Sequence, residues 1–206
     1  MLALTAPGQT PGISAFVDPL ISGLHVSRTL ISTAYMVATL IGAAAMPLAG
    51  RCIDRFGARR TAALTGLAFG GVLVALPAVT GVVGLTAGFT GLRLLGQGTL
   101  NLTATTAVAV YIARRRGLAM GITTAVGAAG ISLAPVGLES LVAAHGFRAI
   151  WLIEGLAVWA LVIPLALAGL PRRPARPDAP DPVAPAPAVA VPDAADPVIA
   201  EHPAAE

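Results

Sequence analysis

Charge is what this sequence has least of. Of its 206 residues only 11% are Asp, Glu, Lys or Arg, against roughly 25% in a soluble domain. Lysine is missing altogether. All thirteen basic residues are arginine, which fits a compositional bias of the genome better than any chemistry. Cysteine occurs once, at Cys52, so no disulfide framework and no cysteine metal cluster is implied. There is no His-x-x-His cluster, no Gly-x-Ser-x-Gly, no Asp pair within an apolar run and no Cys–His pair at useful spacing. That argues against an enzyme, and no cofactor is implied. No Lys or Arg precedes the first apolar run, so a cleavable signal peptide is not evident. The net charge of +3 and the pI near 10.0 do not point to nucleic acid. The arginines stand in short clusters between apolar runs, without interleaved aromatics, and such clusters read as topology signals.

What is present is apolar length. Hydrophobic residues make up 56% of the chain and the mean hydropathy is +0.81. They fall in long uninterrupted runs, the mark of a bilayer rather than of a core. The pattern predicts an all-α membrane protein with six spans at about 2–24, 29–49, 61–80, 85–112, 118–138 and 149–170. From Pro171 onward the character changes. Ten of the seventeen prolines lie between Pro171 and Pro203, so 171–206 is expected to be a disordered or extended tail.

The polar residues inside the spans are few, and each is a candidate. Pro7, Pro11 and Pro19 should bend the first span. Either it is a plain kinked helix, or it lines a cavity with Gln9 and Thr10 facing a solute path. Asp18 either snorkels to the interface near Arg28 or takes part in proton coupling. Ser27 is placed to cap the second span, where Tyr35 and Thr39 share a face. Gly66 and Gly70 make a close-packing Gly-x-x-x-Gly pair in the third. The fourth span holds the only arginine deep in an apolar run, Arg93. At helical spacing Arg93, Gln97 and Asn101 form one stripe. A charge at mid-bilayer costs at least about 2.5–3.5 kcal/mol, so Arg93 faces a cavity or a partner, in a functional or a structural role. Pro135 should bend the far end of the fifth span and Glu139 should end it, with Glu139 free to pair with Arg148. Trp151 is expected at the membrane interface. Glu154 either bonds outward or to a neighbouring helix, or takes part in proton movement.

Six spans put ten arginines on one side: Arg51, Arg55, Arg59 and Arg60; Arg114, Arg115 and Arg116; Arg172, Arg173 and Arg176. Arg28 and Arg148 alone lie opposite. The positive-inside rule then puts both termini in the cytoplasm of a bacterial cell, with the chain in the inner membrane.

Between the second and third spans stands Gly50-Arg51-Cys52-Ile53-Asp54-Arg55-Phe56-Gly57-Ala58-Arg59-Arg60. Its spacing, Gly-x-x-x-Asp-Arg-x-Gly-x-Arg-Arg, resembles the loop between membrane helices two and three of the major facilitator superfamily of secondary transporters. Arg93-Leu94-Leu95-Gly96-Gln97-Gly98 is similar to that superfamily's fourth-helix motif. Pro7-Gly8-Gln9-Thr10, Ser27-Arg28 and Gly146-Phe147-Arg148 add support, and the first two of these look most like the monocarboxylate and oxalate–formate branch. The resemblance implies a six-helix bundle of two inverted three-helix repeats, working against a second bundle with the solute near the midplane. It implies that Asp54 latches to a helix of the other half. Gly50, Arg55, Gly57, Arg59 and Arg60 would shape and hold the gating loop. The expected partners are the lipid bilayer, a small organic solute, protons, and a second half or another copy of this chain. Read this way the chain is the N-terminal half of a transporter, not expected to sustain flux alone. The other readings are a truncated or inactive fragment and a membrane-embedded partner subunit without transport of its own.

Overall fold

In a computed structural model the chain is described over residues 2–112 and 115–170, the side chain of Arg116 excepted. Among the described residues every regular element is helical. A 3-10 segment, Leu2–Gly8, leads into α1 (Thr10–Ser14) and α2 (Val17–Leu24). Then come α3 (Arg28–Ala44), α4 (Met46–Ala75) and a 3-10 turn, Leu76–Ala78. α5 (Val82–Gly91), a π-helical stretch (Leu92–Leu100) and α6 (Asn101–Tyr111) follow. The last two helices are α7 (Arg116–His145) and α8 (Phe147–Gly169). The expected tail, Arg114 and the side chain of Arg116 lie outside the described residues.

Local sequence explains the breaks. The first expected span is divided into three short helices: Pro7 lies within the 3-10 segment, and Pro11 and Pro19 stand in the first turns of α1 and α2, where a missing backbone donor is tolerated. His25 closes α2 in the left-handed conformation, and Ser27 caps α3 by accepting from the Leu30 amide. The chain turns through 118° between α2 and α3.

The charged stretch 50–60, expected as a loop, is not one. Helix runs on either side of a single non-helical residue, Gly57, at φ 78° and ψ 157°. That region of backbone space is open essentially only to glycine. One residue therefore breaks the helix, and Arg51, Asp54 and Arg55 sit on helical turns. Gly146 makes the same turn between α7 and α8, at φ 80° and ψ 152°. α7 also departs from expectation: it runs on past Glu139 to His145.

Among the described residues, three helices are long and apolar enough to cross a membrane by length and composition: Met46–Ala78, Gly117–His145 and Phe147–Gly169. A fourth is reached if the bent pair α2 and α3 is taken as one span. Val82–Tyr111 is a further unbroken rod, since Leu92, Leu100 and Asn101 all keep right-handed helical dihedrals where the segments join.

The most extensive packing is between α4 and α8. A side chain at Gly66 would meet Val162, and one at Gly70 would meet Trp159. Trp159 Nε1 donates to the Leu67 carbonyl of α4 at 2.9 Å. Trp151, expected at the membrane interface, packs inside the bundle. It is buried, stacked on Phe16 at 5.1 Å between ring centroids and edge-on to Phe147 at 5.4 Å. Large apolar side chains instead face outward: Leu133 and Val136 on α7 are 68% and 72% exposed. Such a surface would be an aggregation hazard in water, but it is what a bilayer solvates.

Candidate functional site

The site begins with a departure from α-helical geometry. At Leu92–Leu100 the helix widens to π, and Thr99 Oγ1 accordingly bonds back five residues to the Leu94 carbonyl at 3.0 Å. The 3-10 segment presses on this stretch. A Cβ at Gly8 would lie 2.5 Å from the Leu92 carbonyl oxygen, and one at Gly96 would lie 3.1 Å from Gly8 Cα. Both positions need glycine for that close approach. π turns recur at functional sites, and this one carries Arg93.

Arg93 points at α3. Its Nε donates to Thr39 Oγ1 at 3.1 Å, and its guanidinium carbon sits 4.9 Å from the centroid of the Tyr35 ring. Thr39 in turn donates to the Tyr35 carbonyl at 2.8 Å. Nη1 of Arg93 is buried with no partner, and so is Oε1 of Gln97. Both residues line a cavity of about 320 Å³, walled otherwise by Thr39, Gly42, Ala43, Met46 and Gly98. Arg93 has no acidic partner among the described residues. Asp18 is taken by Arg28 in an exposed ion pair.

Tyr35 lines a smaller cavity of about 170 Å³, which Thr10, Ser14, Ser32 and Tyr35 supply with hydroxyls. Thr10 Oγ1 and Tyr35 Oη are hydrogen-bonded at 2.7 Å, and Phe89 stands edge-on to the Tyr35 ring. One connected set therefore links the broken first segment, α3 and the π stretch: Thr10, Tyr35, Thr39, Arg93 and Gln97.

Other expected residues do not join it. Asn101 lies beyond the π stretch and lines neither cavity. A π turn advances fewer degrees per residue than an α turn, so the single stripe through 93, 97 and 101 is lost. Gln9 bonds locally to Thr5 Oγ1 at 3.1 Å. Glu139 is exposed and makes no ion pair with Arg148, which lies over Phe147 instead. Glu154 lies on α8 with Oε2 buried and unpartnered. Gly50, Asp54, Arg55, Gly57, Arg59 and Arg60 gather around the Gly57 turn, where Asp54 and Arg55 are exposed. Ser14 and Ser32 were not singled out as candidates, because single hydroxyls in apolar runs carry little signal. The π turn was missed too, although Gly91, Gly96 and Gly98 crowd that stretch.

A multi-pass helical bundle with an apolar exterior, and with a half-buried arginine that has no acidic partner among the described residues, defines a class: an integral membrane protein. The sequence matches the family model of the Major Facilitator Superfamily over residues 3–202. The chain belongs to that family, whose members are transporters, and it is a transmembrane transport protein of that type. Comparison with curated proteins and with solved structures gives no match.

Proposed function

We infer that residues 1–170 form a six-span bundle acting as one half of a secondary transporter. It moves a small organic solute of monocarboxylate type by alternating access against a second six-helix bundle, from another chain or another copy of this one. The observation that carries the reading is Arg93. A guanidinium inside a span, with Nη1 buried and no acidic partner among the described residues, is costly unless an anion arrives. Only four acidic residues precede residue 171. Of these, Asp18 is paired, Asp54 and Glu139 are exposed, and Glu154 lies on another helix. The cavity at Arg93 leaves room for a small carboxylate, the group that a guanidinium holds best.

The twin turns support two inverted three-helix repeats. Gly57 and Gly146 each break the helix in one residue at nearly the same φ and ψ, with an arginine two residues later, Arg59 and Arg148. In six spans the first turn is cytoplasmic and the second lies across the membrane, as inversion requires. Asp54 and its arginines then serve the cytoplasmic gate, and both termini are cytoplasmic in a bacterial inner membrane. Protons are the coupling ion in this reading, with Glu154 and Asp18 the acidic groups within reach of the spans.

Equilibrium binding of a labelled short monocarboxylate to the detergent-purified chain tests this. Saturable binding is expected, and Arg93→Gln should abolish it while helicity by circular dichroism is kept. Undiminished binding by that variant would remove Arg93 from the path.

A further inference from the structure

A second opening shares no residue with the cavity at Arg93. It is a slot of about 230 Å³ between the two parts of α4 and the π stretch, with Leu48, Cys52, Phe56, Leu64 and Leu95 in its walls. Thr61 and Thr99 also line it, but both hydroxyls are spent on backbone carbonyls, those of Cys52 and Leu94. A polar solute would lose its hydration here with little in return. The slot opens on the outside of the bundle, where Leu48 and Leu64 are 61% and 62% exposed. In a membrane protein that outside is hydrocarbon. A helix with its side chains is about 10–12 Å across, too thick for this volume, whereas a single alkyl chain fits.

The rest of the occupant follows from charge and from one hydroxyl. Exposed Arg51, Arg55 and Arg60 are the chain neighbours of Cys52, Phe56 and Thr61 in the wall. The guanidinium carbon of Arg55 lies 5.6 Å from the centroid of the Phe56 ring, so a cation stands beside the slot. Asp54 is the only acid between residues 50 and 60, against four arginines. Thr65 also lines the slot. It is 6% exposed and, unlike Thr61 and Thr99, its hydroxyl has no hydrogen-bond partner. A buried donor left in that state is costly and calls for an acceptor on the occupant. We propose that the slot holds one acyl chain of an anionic phospholipid, its phosphate among Arg51, Arg55 and Arg60 and an ester carbonyl accepting from Thr65. Arg60 and Thr65 are five residues apart, about 7.5 Å along the helix. Phosphate, ester and chain thus meet arginine, hydroxyl and hydrocarbon in the order a phospholipid carries them. The site does not depend on what Arg93 holds.

Native mass spectrometry of the full chain in mild detergent tests it, by titration with phosphatidylglycerol, phosphatidylcholine, oleate and glycerol 3-phosphate. Phosphatidylglycerol should be held most tightly. Oleate lacks the ester and glycerol 3-phosphate lacks the chain, so both should bind more weakly. Arg55→Gln, at an exposed position, should weaken phosphatidylglycerol about fivefold, the worth of one arginine beside anionic lipid, and leave phosphatidylcholine unchanged. Thr65→Val should weaken both phospholipids about fivefold, as the loss of one buried hydrogen bond does. Bound phosphatidylglycerol should also slow alkylation of Cys52 by N-ethylmaleimide, because that thiol lines the slot; this needs no variant. Equal retention of phosphatidylglycerol and phosphatidylcholine overturns the anionic headgroup. Oleate held as tightly as phosphatidylglycerol overturns a phospholipid as the source. Retention without protection of Cys52 overturns the slot as the place. Monocarboxylate binding is measured separately, so failure here leaves the solute reading untouched.

Discussion

Replacing Gly70 by alanine should loosen the seam between α4 and α8, and its cost can be worked from the contacts. A Cβ there would fall against the Trp159 indole and 3.0 Å from the Gly155 carbonyl oxygen. Backbone of a facing helix cannot give way locally. The indole cannot swing clear without losing its 2.9 Å bond to the Leu67 carbonyl. Overpacking costs about 1–3 kcal/mol, and an interhelical hydrogen bond in a membrane is worth about 0.6 kcal/mol. Alanine returns up to about 1 kcal/mol of helix propensity. The net expectation is a loss of about 1–3 kcal/mol. Gly137→Ala is the matched control, because nothing lies within 4 Å of its Cβ; it should be neutral or slightly stabilising. Unfolding in mixed micelles by added dodecyl sulfate, followed by helicity and tryptophan emission, measures both. Gly70→Ala should also shift the emission, since Trp159 loses its carbonyl. Equal stability of the two variants would refute the close approach of α4 and α8.

Other consequences are smaller or local. Gly57→Ala puts a side chain on a backbone conformation open essentially only to glycine, and should cost about 1–3 kcal/mol in the same assay; no loss would mean the turn is made elsewhere. Tyr35→Phe removes the Thr10 bond but keeps the ring under Arg93, so stability should fall by only about 0.6 kcal/mol. A larger fall would show that the hydroxyl holds more than Thr10. Glu154→Met removes a buried oxygen that lacks a partner and should stabilise the purified chain by about 1 kcal/mol. Destabilisation would mean that a partner reaches Glu154 in the membrane.

Much of this was legible because it depends on composition and period. The apolar runs marked the helices, Ser27 marked a cap, Gly66 and Gly70 marked a seam, and Arg93 marked the cavity by being alone. Asp18 and Arg28 are ten residues apart at one end of the bundle, and they pair as their placement suggested. What stayed hidden depends on single hydrogen bonds or on partners far along the chain. One added residue in the bonding ladder turns α into π and removes Asn101 from the Arg93 stripe, yet it leaves hydrophobic period nearly unchanged. The one-residue turn at Gly57 looks like a loop because charge and glycine cluster there. Trp151 reads as interfacial by position, and nothing nearby in sequence shows that Phe16, 135 residues earlier in the chain, covers it. Glu139 reads as the end of the fifth span, yet α7 runs on to His145.

Everything assigned to Arg93 requires that the chain thread the bilayer six times with that residue between its faces. Single cysteines at Arg55→Cys, Arg115→Cys and Arg148→Cys, each in a Cys52→Ser background, probe this in sealed vesicles with an impermeant maleimide. Positions 55 and 115 should react from the cytoplasmic side and position 148 from the other. Labelling of 55 and 115 from opposite sides would contradict the threading and remove Arg93 from the middle of the membrane.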